Sequence, residues 1–397
     1  MKLHKALVNT IIEALYKVLK ENHYSDKVLE HYFKTNPKLG KRDRKFIAES
    51  VYTIVRYYYF FEYITGTSDI TKIFSAYLHY NQLEFENLQE ILPPVNLSVD
   101  LNQIPKRIQL SYNEDLWNEG ISQLGEERWF KEASALNEHA KLVIRVNTLV
   151  TSKPELQSLL LKLGIETEEH PDVEEALIIK DKTFVSPNEY FLKGYYEFQD
   201  LSSQRVAHFI PEDVLQNASR IIDACAGAGG KSLHLSALKR NKGQIIALDV
   251  NPKKLQESEK RSRRNRSSNI VVKPIESNKT IKRLKDSADI LLLDVPCTGT
   301  GVIKRNPDTK LKFTSENKQE ILQLQRELLL NYSKMLKNNG YLLYVTCSIL
   351  PEENDYQIQW FLENKEQFQL VKKQTIYPSE GFDGFFMALL KKGSSKD

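Results

Sequence analysis

Through roughly the first 90 residues, apolar positions recur close to every 3.6 residues and glycine is scarce, so this stretch is expected to be helical throughout. Leu3, Leu7, Ile11, Leu15 and Leu19 trace one face. Phe46, Ser50, Ile54, Tyr57 and Phe61 trace another, preceded by the basic run Lys41-Arg42-Asp43-Arg44-Lys45. In Tyr57-Tyr58-Tyr59-Phe60-Phe61 consecutive rings must point to all faces of a helix, so mostly core with one or two exposed rings is expected. Pro93-Pro94 and Pro105 then break the pattern and mark a loop. Beyond the loop the period changes. Residues 142–147 read as a strand, 154–163 as a helix, and 183–187 and 195–198 as strands, a small α/β piece ending at Gln199-Asp200. From there strand-like and helical runs alternate: 220–223, 232–239, 244–249, 253–264, 270–272, 290–294, 316–336, 341–346 and 355–363. Such alternation argues for a largely parallel sheet covered by helices on both faces. The chain of 397 residues is too long for one compact unit. It divides into a helical region at 1–137, a small α/β module at 138–199 and an α/β domain at 200–397.

Composition changes this picture little. Hydrophobic content of 41% is ample for a core, and 56 basic against 52 acidic residues leave a net charge of only +4. Binding to a polyanion must therefore rest on local clusters. Glu13 and Lys17 interrupt the first apolar stripe and no later run reaches membrane-spanning length, so neither a signal-peptide core nor a membrane partner is expected. Three cysteines do not make a disulfide scaffold; they read as reduced thiols in the cytoplasm.

Three motifs carry candidate chemistry. Asp223-Ala224-Cys225-Ala226-Gly227-Ala228-Gly229-Gly230-Lys231 lies between a strand and a helix, where glycines let backbone approach a ligand and the helix start offers unpaired N–H groups. Asp249 ends the next strand, placed to accept hydrogen bonds from a ribose diol, although alone it could equally cap the helix that starts at Pro252. Asp294 closes the apolar run Ile290-Leu291-Leu292-Leu293; Cys297 follows in a turn with Pro296, Gly299 and Gly301, and Cys347 ends the strand at 341–346. A free cysteine is more often a small buried hydrophobe than a nucleophile. Two thiols at strand ends beside a cofactor turn instead suggest an enzyme that forms a covalent thiol adduct next to a bound cofactor.

These motifs resemble the RsmB/Sun (Fmu) family of RNA cytosine-C5 methyltransferases, which use S-adenosyl-L-methionine. The likeness runs through Arg145-Val146-Asn147, Gln199-Asp200, Gly229-Gly230-Lys231, Asp294 to Gly301, Thr346 to Asn354 and Asp383-Gly384-Phe385-Phe386. Arg44, Phe46, Tyr52 and Arg56 add a looser likeness to a NusB-type RNA-binding domain. The resemblance implies a Rossmann-like class I methyltransferase domain behind a small α/β module and an all-helical NusB-like domain. It makes Cys347 the attacking thiol and Cys297 the residue of product release, with Asp294 at N3 of the pyrimidine and Lys231 supporting substrate and carboxylate. It also implies that Cys225, Ala226, Gly227, Ala228, Gly229, Gly230 and Lys231 line the methionine part of the cofactor, that Asp249 and Asp294 belong to the same cofactor site, with Asp249 taking the ribose, and that Glu276 stands where the family has an aspartate near the adenine. Ala228 and Asn113 each replace a proline usual in the family.

For RNA, the expected contacts are Arg145 in the small module and Lys304-Arg305, expected near the substrate mouth just after the Cys297 motif. The basic stretch Lys253, Lys254, Lys260, Arg261, Arg263, Arg264 and Arg266 fits a solvated helix face as well as phosphate binding. His208 and His234 show no partner at metal-ligand spacing, so no metal is expected. Glu352, Glu353 and Asn354 are read as a helix cap, with orientation of the Cys347 loop as the alternative. The expected partner is RNA, foremost 16S small-subunit rRNA in an assembly intermediate, with tRNA as the alternative and the chain as a cytoplasmic monomer. A non-catalytic assembly factor would tolerate damaged cysteine motifs, and these are intact; a dinucleotide oxidoreductase would leave both thiols without a role.

Overall fold

The computed structural model describes residues 3–97, 100, 103–180 and 188–394. The strand expected at 183–187 lies outside them. Two compact units result: Met1–Glu138 with Ile303–Asn317, and His139–Val302 with Lys318–Asp397.

In the first unit, helices Lys5–Leu19, Ser25–Thr35, Lys41–Arg56, Tyr58–Thr65 and Ile70–Tyr80 enclose a core that includes Ile11, Leu15, Val51, Ile54, Phe61 and Phe74. Helical periodicity places these side chains inward, as expected. The aromatic run differs from expectation. Phe60 and Phe61 are buried and the three tyrosines half-buried, with no ring fully exposed. The helix breaks at Tyr57, and beyond the break Phe61 and Phe60 pack edge-on to Tyr77 and Tyr80 respectively.

The segment Ile303–Asn317, far downstream in sequence, packs as part of this unit. Lys310 is its strut. Its buried ammonium donates to the carbonyls of Arg56 (3.0 Å) and Leu110 (2.7 Å) and to Asn137 Oδ1 (2.5 Å). Asp308 accepts from both the backbone N–H and the hydroxyl of Ser25. Asn113, in place of the family's proline, caps the helix Glu114–Leu124 and donates to the Phe313 carbonyl.

The second unit holds two sheets. Strands β1 (Val143–Val146), β2 (Thr167–His170), β3 (Val173–Ile179) and β4 (Tyr196–Phe198) form an antiparallel sheet in the order β2-β3-β1-β4. The larger sheet comprises β5 (Arg220–Asp223), β6 (Gln244–Asp249), β7 (Ile270–Pro274), β8 (Ala288–Asp294), β9 (Leu336–Thr346), β10 (Phe368–Ile376) and β11 (Phe385–Lys392), in the order β10-β11-β9-β8-β5-β6-β7. β7, β6, β5, β8 and β9 pair in parallel, while β11 runs antiparallel between β9 and β10. Alternate residues feed opposite faces: Leu291 and Leu293 one core, Ile290 and Leu292 the other. A strand buried on both faces must read as a continuous apolar run, as β8 does. The helix expected at 316–336 is shorter, Ser315–Tyr332, and Leu336 instead opens β9. Among the described residues no helix is long and apolar enough to cross a membrane.

Candidate active site

Parallel strands bring their carboxyl ends to one edge of the sheet, where loops carry ligand-binding residues. β5 delivers the glycine turn, β6 Asp249, β8 Asp294 and Cys297, and β9 Cys347. The two thiols expected at neighbouring strand ends meet there, Cys297 Sγ to Cys347 Sγ being 3.2 Å. Both are half-buried. The hydrogen bond with Cys347, reinforced by burial, pushes the Cys297 thiol well above its ordinary pKa. Cys297 therefore keeps its proton and can donate it to a sulfur anion at Cys347.

Lys231 and Asp294 pair at 2.5 Å. Burial acts to lower the Lys231 pKa, but Asp294, with contributions from Asp223 and the Cys347 sulfur, outweighs it and raises the pKa. The ammonium is thus a fixed positive charge within electrostatic reach of the Cys347 sulfur. Asp294 remains partly accessible, its side chain 30% exposed.

The glycine turn is built for close approach. Gly227 and Gly229 have φ of 54° and 82°, a left-handed backbone that side chains resist. A Cβ on Gly229 would lie 2.3 Å from Ser258 Oγ, whereas one on Gly227 would point into open space. Asp249 does not cap the following helix; Asn251 does. Instead, Asp249 accepts from the N–H of Gly227 (2.8 Å) and of Asn251 (2.7 Å), so one carboxylate orders the turn and keeps lone pairs for a diol. Glu276 is exposed just past β7. Burial pushes Cys225 well above the usual thiol range, so it serves as an apolar wall packed on the core. An open cradle at Gly227, a carboxylate at the second strand end and an acidic residue past the third fit a nucleoside-type cofactor.

The cap expected from Glu352, Glu353 and Asn354 is a correction. The helix Asp355–Asn364 has no side-chain cap. Glu353, fully buried, accepts from the Thr298 N–H (2.8 Å) and from Gln325 Nε2 (3.1 Å), and bonds the hydroxyls of Thr298 and Ser348 (2.5 Å each). Thr298 and Ser348 each follow one of the two cysteines, so a single carboxylate clamps both thiol loops. Burial raises its pKa. Asn354 adds bonds to Thr346 Oγ1 (2.5 Å) and the Ser348 carbonyl (3.0 Å). Gly301 completes the stitching: its N–H donates to the Cys347 carbonyl (2.9 Å) and its carbonyl accepts from Gly384 (2.7 Å).

Two expected RNA contacts are placed otherwise. Arg145 is 2% exposed, donating to the Gly230 carbonyl (2.9 Å) and to Gln199. It braces the cofactor turn rather than facing solvent, and burial lowers its pKa to about 10. Lys304 is also buried, with Glu138 at 3.5 Å, in the first compact unit, while Arg305 is half-buried. In the basic stretch, Arg261 and Arg264 turn inward to the buried Glu197, leaving Lys253, Lys254, Lys260, Arg263 and Arg266 exposed.

Residues 214–391 match the family profile of the 16S rRNA methyltransferase RsmB/F, and residues 115–186 that of the RsmF/B-like ferredoxin-like domain. Ribosomal RNA small subunit methyltransferase B of Vibrio cholerae is 32% identical over 274 residues, covering 67% of this chain. The chain spans 62% of the length of that relative. Among solved structures, a methyltransferase homolog protein from Pyrococcus horikoshii is 28% identical, covering 74% of this chain and 100% of its own, with a TM-score of 0.62. NSun6 from Pyrococcus horikoshii, solved with SFG, covers 71% of this chain and 99% of its own at 22% identity and a TM-score of 0.63, a likeness of fold. The Rossmann-like class I methyltransferase architecture expected from the motifs is therefore the observed one.

Proposed function

We propose that this chain, whose residues 214–391 match the RsmB/F methyltransferase profile, transfers a methyl group from S-adenosyl-L-methionine to carbon 5 of cytidine in RNA, foremost 16S rRNA. The observation that carries this reading is the 3.2 Å thiol pair beside the Lys231–Asp294 ion pair at the cofactor edge of the sheet. Carbon 5 of cytosine is a poor nucleophile. Addition of the Cys347 thiolate to carbon 6 moves an electron pair to carbon 5, and Lys231 stabilises the thiolate beforehand. The bound cofactor supplies an electrophilic methyl group. Loss of the carbon-5 proton to solvent then breaks the sulfur–carbon bond, and Cys297, still protonated, donates to the departing Cys347 sulfur. Asp294, held by Lys231, addresses the pyrimidine edge at N3. Gly227 and its neighbours leave room for the methionine part, Asp249 takes the ribose, and Glu276 stands nearest the adenine. The target base must be unstacked to be reached from this edge.

The substrate assignment rests on the name of the relatives, whose length the chain only partly spans. Incubating the protein with labelled S-adenosyl-L-methionine and either 16S rRNA, small-subunit particles or tRNA tests it. Label is expected in 5-methylcytidine from ribosomal substrate; label in tRNA alone would reassign the substrate, and none in any RNA would leave a non-catalytic assembly role.

A further inference from the structure

We propose that Glu175, His208 and His234 form a binding site for a zinc-class divalent cation, separate from the thiol pair. Glu175 lies on β3, His208 ends the helix Leu201–His208, and His234 lies on the helix Gly230–Leu238, one turn beyond Lys231. Glu175 Oε2 is 2.9 Å from His208 Nε2 and 3.9 Å from His234 Nε2, and the three ligand atoms lie within 4.8 Å of one another. Zinc binds imidazole nitrogen and carboxylate oxygen at about 2.0–2.2 Å in a tetrahedron, which separates neighbouring ligand atoms by roughly 3.3 Å. Small side-chain movements would close the trio onto an ion.

A second observation is independent of spacing. His234 is 1% exposed, and neither of its ring nitrogens has a hydrogen-bond partner. A buried imidazole left idle in this way carries the full penalty of a polar group taken out of water without a partner. The His208–Glu175 hydrogen bond accounts for those two residues but leaves His234 unexplained; a cation would use its lone pair. Two nitrogens and one oxygen suit zinc-class ions rather than magnesium or calcium, which favour all-oxygen sets. His208, with its side chain 36% exposed, gives the ion a route in and leaves a fourth position for water. The nearby Arg145 donates through Nη1 to Gly230 and Gln199, while its buried Nε has no partner, so this positive charge opposes an ion and the Glu175 carboxylate must offset it. An ion here would tie β3 to the helix that carries Lys231. Spacing between the two histidines could not show this, because the third ligand comes from the small sheet.

The test is cobalt and zinc binding by the 397-residue chain after stripping with chelator, followed by equilibrium dialysis and absorption spectroscopy. The thiol pair is the competing binder, and the spectrum separates the two. We expect one cobalt per chain with d–d bands of nitrogen and oxygen ligation and no thiolate charge-transfer band, and a melting temperature raised by zinc. His208→Ala, a change at the surface, and Glu175→Gln should each weaken binding by about 100-fold, while Cys297→Ala and Cys347→Ala leave it intact. Binding that survives His208→Ala but vanishes with the thiols, or no stoichiometric binding at all, overturns the proposal.

Discussion

Glu353 is the residue on which both thiol loops depend, yet it touches neither sulfur. Truncation would strand the half-buried Thr298 N–H and leave Gln325 Nε2 with the Pro296 carbonyl alone, a loss of about 1–3 kcal/mol, and would release both loops. Misplacement of reacting groups by about 1 Å costs on the order of 10²-fold in rate. We therefore expect Glu353→Ala to lower kcat by roughly that factor while S-adenosyl-L-methionine affinity, measured by calorimetry, changes little. Glu353→Gln keeps an acceptor for the two donors and should recover most of the rate. Asp223 gives a prediction in pH. Burial lifts its carboxyl from the ordinary 3.8 to about 7, with one oxygen bonded by Ser232 and the other without a partner. The fold thus favours the protonated acid, and the resulting stability, full below pH 3.8, drains away as pH rises through about 7. Asp223→Asn mimics the protonated form at every pH. The difference in melting temperature between variant and wild type should grow in the variant's favour from pH 4 to pH 8; a flat difference would count against the raised pKa. The cysteines, the glycine turn and Asp249 were legible in the sequence because each motif is local. Glu353 was read first as a helix cap, with orientation of the Cys347 loop as the alternative that the structure favours; its bond to Thr298, 55 residues away, could not be read along the chain.

Among elements, those with a clear pattern were mostly readable, although the apolar run of β11 was passed over, and those without one were not. β8 and β9 announce themselves as apolar runs, whereas β10 is exposed along most of its length and β2 is wholly polar, so neither carries an alternating pattern. The small sheet's β3 was missed with its partner β2. Contacts between loops are equally invisible in one dimension, and Gly301 shows why they matter. A Cβ there would sit 2.2 Å from the Gly384 carbonyl oxygen and 2.8 Å from that of Cys347. Backbone on both sides has no room to yield. Gly301→Ala should lower stability by about 1–3 kcal/mol in urea melts and cost most of the transferase activity. Wild-type activity in that variant would show that the two thiol loops need not be held together.

Across the whole molecule, the segment Ile303–Asn317 departs furthest from a reading along the chain. It follows the Cys297 loop directly, yet packs with helices that lie before residue 139. Lys304 was expected to meet RNA on sequence proximity to Cys297; folding instead commits its side chain to burial beside Glu138. Arg145 was misread for a related reason, since a charged residue in a short strand gives no sign that it will brace a distant glycine turn. The class I architecture was readable, and so was the meeting of the cysteine, glycine and Asp249 motifs at one edge, because parallel strands deliver their sequence-local motifs to one place. Catalysis, as proposed, turns on the Cys347 sulfur bonding to carbon 6 of a cytidine and on Cys297 assisting its departure. RNA carrying 5-fluorocytidine tests this directly, because fluorine at carbon 5 cannot leave as a proton does. With S-adenosyl-L-methionine present, wild type should form a denaturation-resistant protein–RNA adduct, Cys347→Ala should form none, and Cys297→Ala should accumulate adduct even on unmodified RNA; an adduct that persists in Cys347→Ala and disappears in Cys297→Ala would contradict the account.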